Sequence, residues 1–155
     1  MKGNEKVIAT LNELLADELT AISQYMVHSE MCADWGYGRL HEAVEKRAIG
    51  EMKHAEELIG RILFLEGQPI VSKLNKMDIG ADVEAQLKND LAAEVGAIKG
   101  YNEAIRLFQE VGDNGSRELI SGNLVDEEGH LDWLEAQLDQ IKQMGLQNYL
   151  LSQSE

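Results

Sequence analysis

The chain has 155 residues, 44% of them hydrophobic, which suits one domain with a real core, and its 14 basic against 28 acidic residues leave a formal charge of -14. That charge argues against a nucleic-acid backbone or an anionic membrane as partner and makes cations the natural guests. One cysteine, Cys32, rules out an internal disulfide framework and a thiolate metal cluster.

Proline occurs once, at Pro69, and alternating β-branched residues are scarce, so the pattern predicts long helices. The first runs over about 5–34, where Val7, Leu11, Leu14, Leu15, Leu19, Ile22 and Met26 recur at helical spacing; "WGYG" at Trp35 to Gly38 ends it. The second covers about 39–66 and stops at "GQP", with Gly67 expected as its C-cap and Pro69 forbidding continuation. A poorly periodic connection follows. The third and fourth helices are expected at about 83–111 and 116–144, split by the turn cluster "GDNG", and a short fifth at about 146–153. Helices of about 28 residues are roughly 42 Å long. Two short turns and one long connection predict an all-α, ferritin-like four-helix bundle with one long crossover, a short C-terminal fifth helix and a single domain over 1–155. The first residues show no leader-like apolar stretch and no later segment is apolar enough to span a membrane, so a cytoplasmic location is expected.

Two short motifs, "EMKH" at Glu51 to His54 and "EEGH" at Glu127 to His130, place an acidic residue three positions before a histidine. By count alone they are weak evidence in a chain with 28 acidic residues and 4 histidines. An internal repeat strengthens them. At an offset of 76, Leu15, Ala16, Glu18, Ala21, Ile22 and Tyr25 fall on the identical Leu91, Ala92, Glu94, Ala97, Ile98 and Tyr101, and Glu51, His54 and Leu58 fall on Glu127, His130 and Leu134. Gly36 lies midway between Glu18 and His54, and Gly112 midway between Glu94 and His130. Residues equidistant from the turn of an antiparallel hairpin share a height, so four carboxylates and two imidazoles are expected to meet at mid-bundle.

Positions i and i+3 share a helix face, so each motif presents oxygen and nitrogen to one point. Four buried carboxylates need neutralising, and two divalent cations do so. Oxygen ligands with imidazole and no thiolate suit iron or manganese. A glutamate from each of two helices, with Glu-x-x-His from the other two, is the ligand pattern of di-iron carboxylate bundles. The competing expectation for any one of these residues is a solvated surface charge. Tyr25 and Tyr101 are placed to donate to the ligand carboxylates, against the plainer alternative of packed tyrosines with satisfied hydroxyls. His28 and His41 read as ordinary surface or packing residues, and Cys32 as a thiol without catalytic duty.

With those residues placed, the chain resembles the bacterioferritins over nearly its whole length, through "LLADEL", "EMKHAEELIGRILFLEG", "DEEGHLDWLE" and "GLQNYL". The resemblance implies a ferroxidase centre in which Glu18, Glu51, His54, Glu94, Glu127 and His130 bind two irons, with Glu51 and Glu127 as bridges. It implies oxidation of Fe(II) by O2 or peroxide and storage of ferric mineral in a cage of 24 subunits built from dimers. It also implies haem b shared by two subunits through Met52, and a small ferredoxin as reductant for iron release. Met52 breaks the repeat, standing opposite Glu128, and points away from Glu51. Leu19, Ile22, Met26 and Ile49 are expected to line the haem pocket, and Asp34, Glu66 and Asp132 to contribute to a pore admitting iron. The chain departs from some relatives at Lys46 and Gly50, where a histidine and an aspartate bind iron on the cavity surface, and at Met26 and Glu45, where an aromatic residue often flanks the haem. Two other functions fit the same motifs: a soluble di-iron or di-manganese oxidase or peroxidase that stores no metal, and a non-enzymatic bundle that associates through acidic faces.

Overall fold

A computed structural model describes all 155 residues. Four long helices, α1 (Glu5–Asp34), α2 (Gly38–Phe64), α3 (Val83–Glu110) and α4 (Asn114–Met144), are followed by the short α5 (Leu146–Ser152). No helix is long and apolar enough to cross a membrane. The main contacts are within the α1–α2 and α3–α4 hairpins, and α1 against α3 joins them. The fold class is the expected ferritin-like four-helix bundle.

The helix ends differ from expectation by one or two residues, for local reasons. At the end of α2 the left-handed residue is Glu66, at φ 61°, not Gly67. Gly67 is instead a close-approach site, since a Cβ there would lie 2.7 Å from Ile8 Cγ2. α4 begins early because Asp113 caps it, its carboxylate accepting from Ser116 N at 2.9 Å. Gly36 and Gly112 hold φ of 85° and 78° in the two turns, a region that suits residues without a Cβ.

The apolar core is divided. Leu11, Leu15, Leu58, Ile62, Phe108 and Ile120 belong to a cluster near one end of the bundle, and Cys32, Leu40, Leu87, Leu134, Ile141 and Tyr149 to a cluster near the other. Between them lies a buried polar layer. The crossover runs along α1 on a rail of polar side chains: Asn12 binds Gln68 O and Ile70 N, Thr20 Oγ1 accepts from Asn75 N, Gln24 Oε1 from Asp78 N and His28 Nε2 from Gly80 N. Spacings of eight, four and four keep these residues on one face of α1. His28 is therefore fully buried rather than a surface residue, and because its Nε2 accepts, its Nδ1 donates to Asp90 at 2.9 Å. Cys32 is also buried, and burial pushes its thiol up to about 11.

Candidate metal centre

The antiparallel hairpins bring Glu18, Glu51, His54, Glu94, Glu127 and His130 into the polar layer, and none is more than 6% exposed. Their ligand atoms form two overlapping groups, each spanning at most 4.8 Å: Glu18, Glu51, His54 and Glu127, and Glu51, Glu94, Glu127 and His130. Glu51 and Glu127 belong to both. The two imidazoles stack at 6.5 Å between centroids and both aim Nδ1 inward. His54 Nδ1 lies 3.0 Å from Glu127 and 3.5 Å from Glu51, and His130 Nδ1 lies 3.0 Å from Glu51 and 3.5 Å from Glu94.

Whether these residues suit a metal is decided by their unmet valences. Glu18 Oε2, Glu51 Oε1, Glu94 Oε2 and His130 Nδ1 are buried without a hydrogen-bond partner. His130 Nδ1 and Glu51 Oε1 approach to 3.0 Å yet lack hydrogen-bonding angles, so they face a common point more than each other. Orphaned buried carboxylate oxygens are costly, and a divalent cation at that point satisfies them. An oxygen-rich set with one imidazole per group fits iron or manganese.

Burial and the facing charges shift the titration of these groups in opposite directions. Burial, then the facing Glu51, raise the Glu18 carboxyl well above its usual range against the pull of His54. Burial also leads in pushing Glu94 up to about 9, with His130 opposing and Glu127 assisting. Glu127 behaves oppositely: burial would raise it, but the facing His130 imidazole and the hydrogen bond from His54 hold it below the carboxylate range. Burial pulls both imidazoles down, and their carboxylate partners, Glu127 first, outweigh it; His130 is pushed up to about 11 and His54 is raised too.

Tyr25 donates to Glu94 and Tyr101 to Glu18, the latter at 2.5 Å. Each tyrosine thus serves the carboxylate of the other hairpin, not the one seven residues earlier on its own helix. The crossing follows from geometry. Helical side chains lean toward the N-terminus, and where α1 and α3 run antiparallel, Tyr25 and Glu94 lean toward each other.

One residue in contact with this layer was not anticipated. Asp126 Oδ2 lies 2.9 Å from His54 Nε2, fixing the ring so that Nδ1 faces the carboxylates. The repeat gives no signal for it, because the offset of 76 puts Asp126 opposite Gly50.

Met52 is 45% exposed on the outer face and, with Ile22, Met26 and Ile49, lines a groove of about 310 Å³ whose rim carries Glu30 and Glu45. Leu19, also expected there, is partly buried against the larger apolar cluster, as Ile22 is. Asp34, Glu66 and Asp132 do not converge within one chain. Asp34 ends α1, whereas Glu66 pairs at 3.3 Å with the Met1 ammonium beside the start of α1, roughly 45 Å away along a 30-residue helix.

Residues 8–144 match the ferritin-like domain family. The chain is 44% identical to a bacterioferritin of Rhodobacter capsulatus over 97% of its own length and 94% of the relative's. It is 42% identical to a bacterioferritin of Brucella melitensis, over 96% and 92% of the two chains. It is also 42% identical to a bacterial ferritin of Synechocystis, over 99% of both.

Proposed function

The chain belongs to the bacterioferritins within the ferritin-like family, and on that premise we propose that it stores iron, binding Fe(II) at the six-residue centre, oxidising it and holding the ferric product inside a homo-oligomeric cage. The observation that carries this reading is the set of buried, unpartnered carboxylate oxygens and His130 Nδ1 facing one point at mid-bundle. Glu18 with His54 would hold one iron and Glu94 with His130 the other, with Glu51 and Glu127 common to both groups. A bound iron pair supplies two electrons to O2 or peroxide; with two protons O2 becomes hydrogen peroxide, and peroxide becomes water.

The chain's own residues do the rest. Glu18 and Glu94, held protonated by burial, give up their protons as cations arrive. Tyr101 and Tyr25 keep those carboxylates in position by donating across the hairpins. Apolar clusters above and below close the layer along the bundle axis.

The cage reading assigns 24 subunits assembled from dimers, supported by the exposed Met26, Ile49 and Met52 on one outer face. The same groove suits haem b: an exposed thioether beside an apolar lining provides half a site, which a second copy would complete with its own methionine. Bound haem would supply an electron path for a ferredoxin-type reductant during iron release. Unchanged absorption bands on passing from the haem-reconstituted parent to Met52→His would place the haem elsewhere.

Aerobic addition of Fe(II), followed by absorbance and by native mass, tests the whole reading. Rapid oxidation by the parent, lost in a Glu18→Ala, Glu94→Ala variant, with ferric iron retained in a large particle, is the expected result. Oxidation by a monomer or dimer that retains no iron would instead identify a non-storing oxidase or peroxidase.

A further inference from the structure

A cavity of about 300 Å³ opens from the centre toward the outside of the bundle, between α1, α3 and the crossover. Its inner wall includes Glu18, Glu51 and Glu94, and its mouth is framed by Asp17, Asn75 and Asp78. Ala21 on α1 and Gly96 and Ala97 on α3 also line it, leaving few bulky side chains to close the passage. The orphaned oxygens of Glu18, Glu51 and Glu94 belong to residues on its inner wall, so the passage leads from solvent to unmet acceptors.

Asp17 stands at its mouth. One residue before Glu18, it points about 100° around α1 from that ligand, toward the seam with α3, where its Oδ2 lies 3.9 Å from the position of a Cβ at Gly100. Its Oδ1 accepts from Asn75 Nδ2 at 2.6 Å. Asn75 is anchored through its main chain, whose amide donates to Thr20 Oγ1 at 2.8 Å. The crossover is therefore held here by a main-chain bond that does not depend on the Asn75 side chain. Asp78 already has a cation, Lys76 Nζ at 3.5 Å, whereas Asp17 is bonded to a neutral amide that a cation can displace.

We propose that Asp17 is the staging ligand for Fe(II) at this passage, and that Asn75 is the bolt it exchanges for the metal before the ion moves on to Glu18. The assignment rests on the di-iron reading of the centre. Asp17 is a positioning residue; it holds no metal once the centre is filled. The crossover rail described above gives the bolt its fixed hinge, since Thr20 holds the Asn75 amide itself and Gln24 holds Asp78 three residues later.

Co(II) added anaerobically to the intact oligomer tests this, because its visible absorption reports arrival at the centre without redox turnover. Asp17→Asn is expected to slow uptake about tenfold, the loss of one steering charge at a focused mouth, while the final stoichiometry and thermal midpoint stay parental. Asp17→Glu should restore most of the rate, and Asn75→Ala should fill as fast as the parent or faster. Parental uptake by Asp17→Asn, or slowing only in an Asp34→Asn, Asp132→Asn variant, would overturn the portal and leave the centre intact. Co(II) binding that survives Glu18→Ala, Glu94→Ala unchanged would overturn the centre itself, and the portal with it.

Discussion

The two hairpins deliver the same ligand set to the centre but differ in what surrounds it. In α3–α4 the start of α4 is capped locally: Asp113 accepts from Ser116 N and is clamped by Arg61 Nη2 at 3.0 Å. In α1–α2 the first residues of α2 have no side-chain cap, and Arg39 N donates instead to Gln153 O at the far end of the sequence. Near the ligands, Asp126 steadies His54, whereas the equivalent position beside His130 is Gly50. On the outer face Met52 stands where the other hairpin has Glu128. The repeat thus keeps the inward face alike, as a pair of metals would require, and leaves the outward face to different contacts.

Removing one shared ligand from each half is the severest way to break this comparison. Glu51→Ala and Glu127→Ala should each cut initial Fe(II) oxidation by at least about 100-fold, since even outer partners of metal ligands are worth about 10–100-fold. A large difference between the two would mean that the halves do not share the centre equally. Asp126→Ala comes next. It should weaken metal binding at the His54 side about 10–100-fold, read as one lost or shifted step in a Co(II) titration, while Gly50→Ala leaves both steps in place because its new Cβ stays 4.0 Å from His130 Cε1.

Titration sharpens the comparison further. The Glu94 carboxyl is raised from 4.5 to about 9 by burial first, so its contribution to metal-free stability is complete below about pH 4.5 and is lost as pH rises through 9. His130, raised from 6.5 to about 11 by its carboxylate partners, acts in the same direction over a higher range. Glu127, held low, contributes stability that is present throughout this window and is lost only in acid. The thermal midpoint of metal-free protein should therefore fall between about pH 5 and 9, and metal should remove most of that slope. The smallest effects belong to the caps. Asp113→Ala is expected to cost about 1 kcal/mol by denaturant unfolding, and deletion of residues 153–155 should destabilise the opposite end of the molecule by a comparable amount, leaving α4 unaffected.

Much of the bundle was legible because its determinants are periodic. Leucine and isoleucine spacing marked the long helices, and Gly36 and Gly112, each midway between ligands, fixed the hairpin register that makes six side chains meet. What escaped has no period of its own. Asn12, Thr20, Gln24 and His28 recur on one face of α1, but their partners are main-chain amides and carbonyls of an irregular segment, which side-chain patterns do not encode. The crossed tyrosine bonds depend on the lean of side chains between antiparallel helices, information that the seven-residue interval alone lacks. Asp126 was hidden by the same repeat that exposed the ligands, since it is a place where the halves disagree. Glu66, expected near a pore, also holds the left-handed position that follows α2 and pairs with Met1, two local roles that spacing does not encode.

The chain's two ends are fastened to opposite ends of α2. The Met1 ammonium donates to Phe64 O at 3.0 Å, while Gln153 O accepts from Arg39 N at 3.2 Å and Arg39 Nη2 reaches Glu155 at 3.0 Å. Because these anchors lie at the two ends of the 27-residue α2, the termini are about 40 Å apart, so joining them head to tail would need about 12 extended residues of linker. Gly38 makes the second fastening possible, because a Cβ there would fall 2.0 Å from Glu155 O. A fusion partner on the N-terminus and one on the C-terminus would therefore emerge at opposite ends of the bundle.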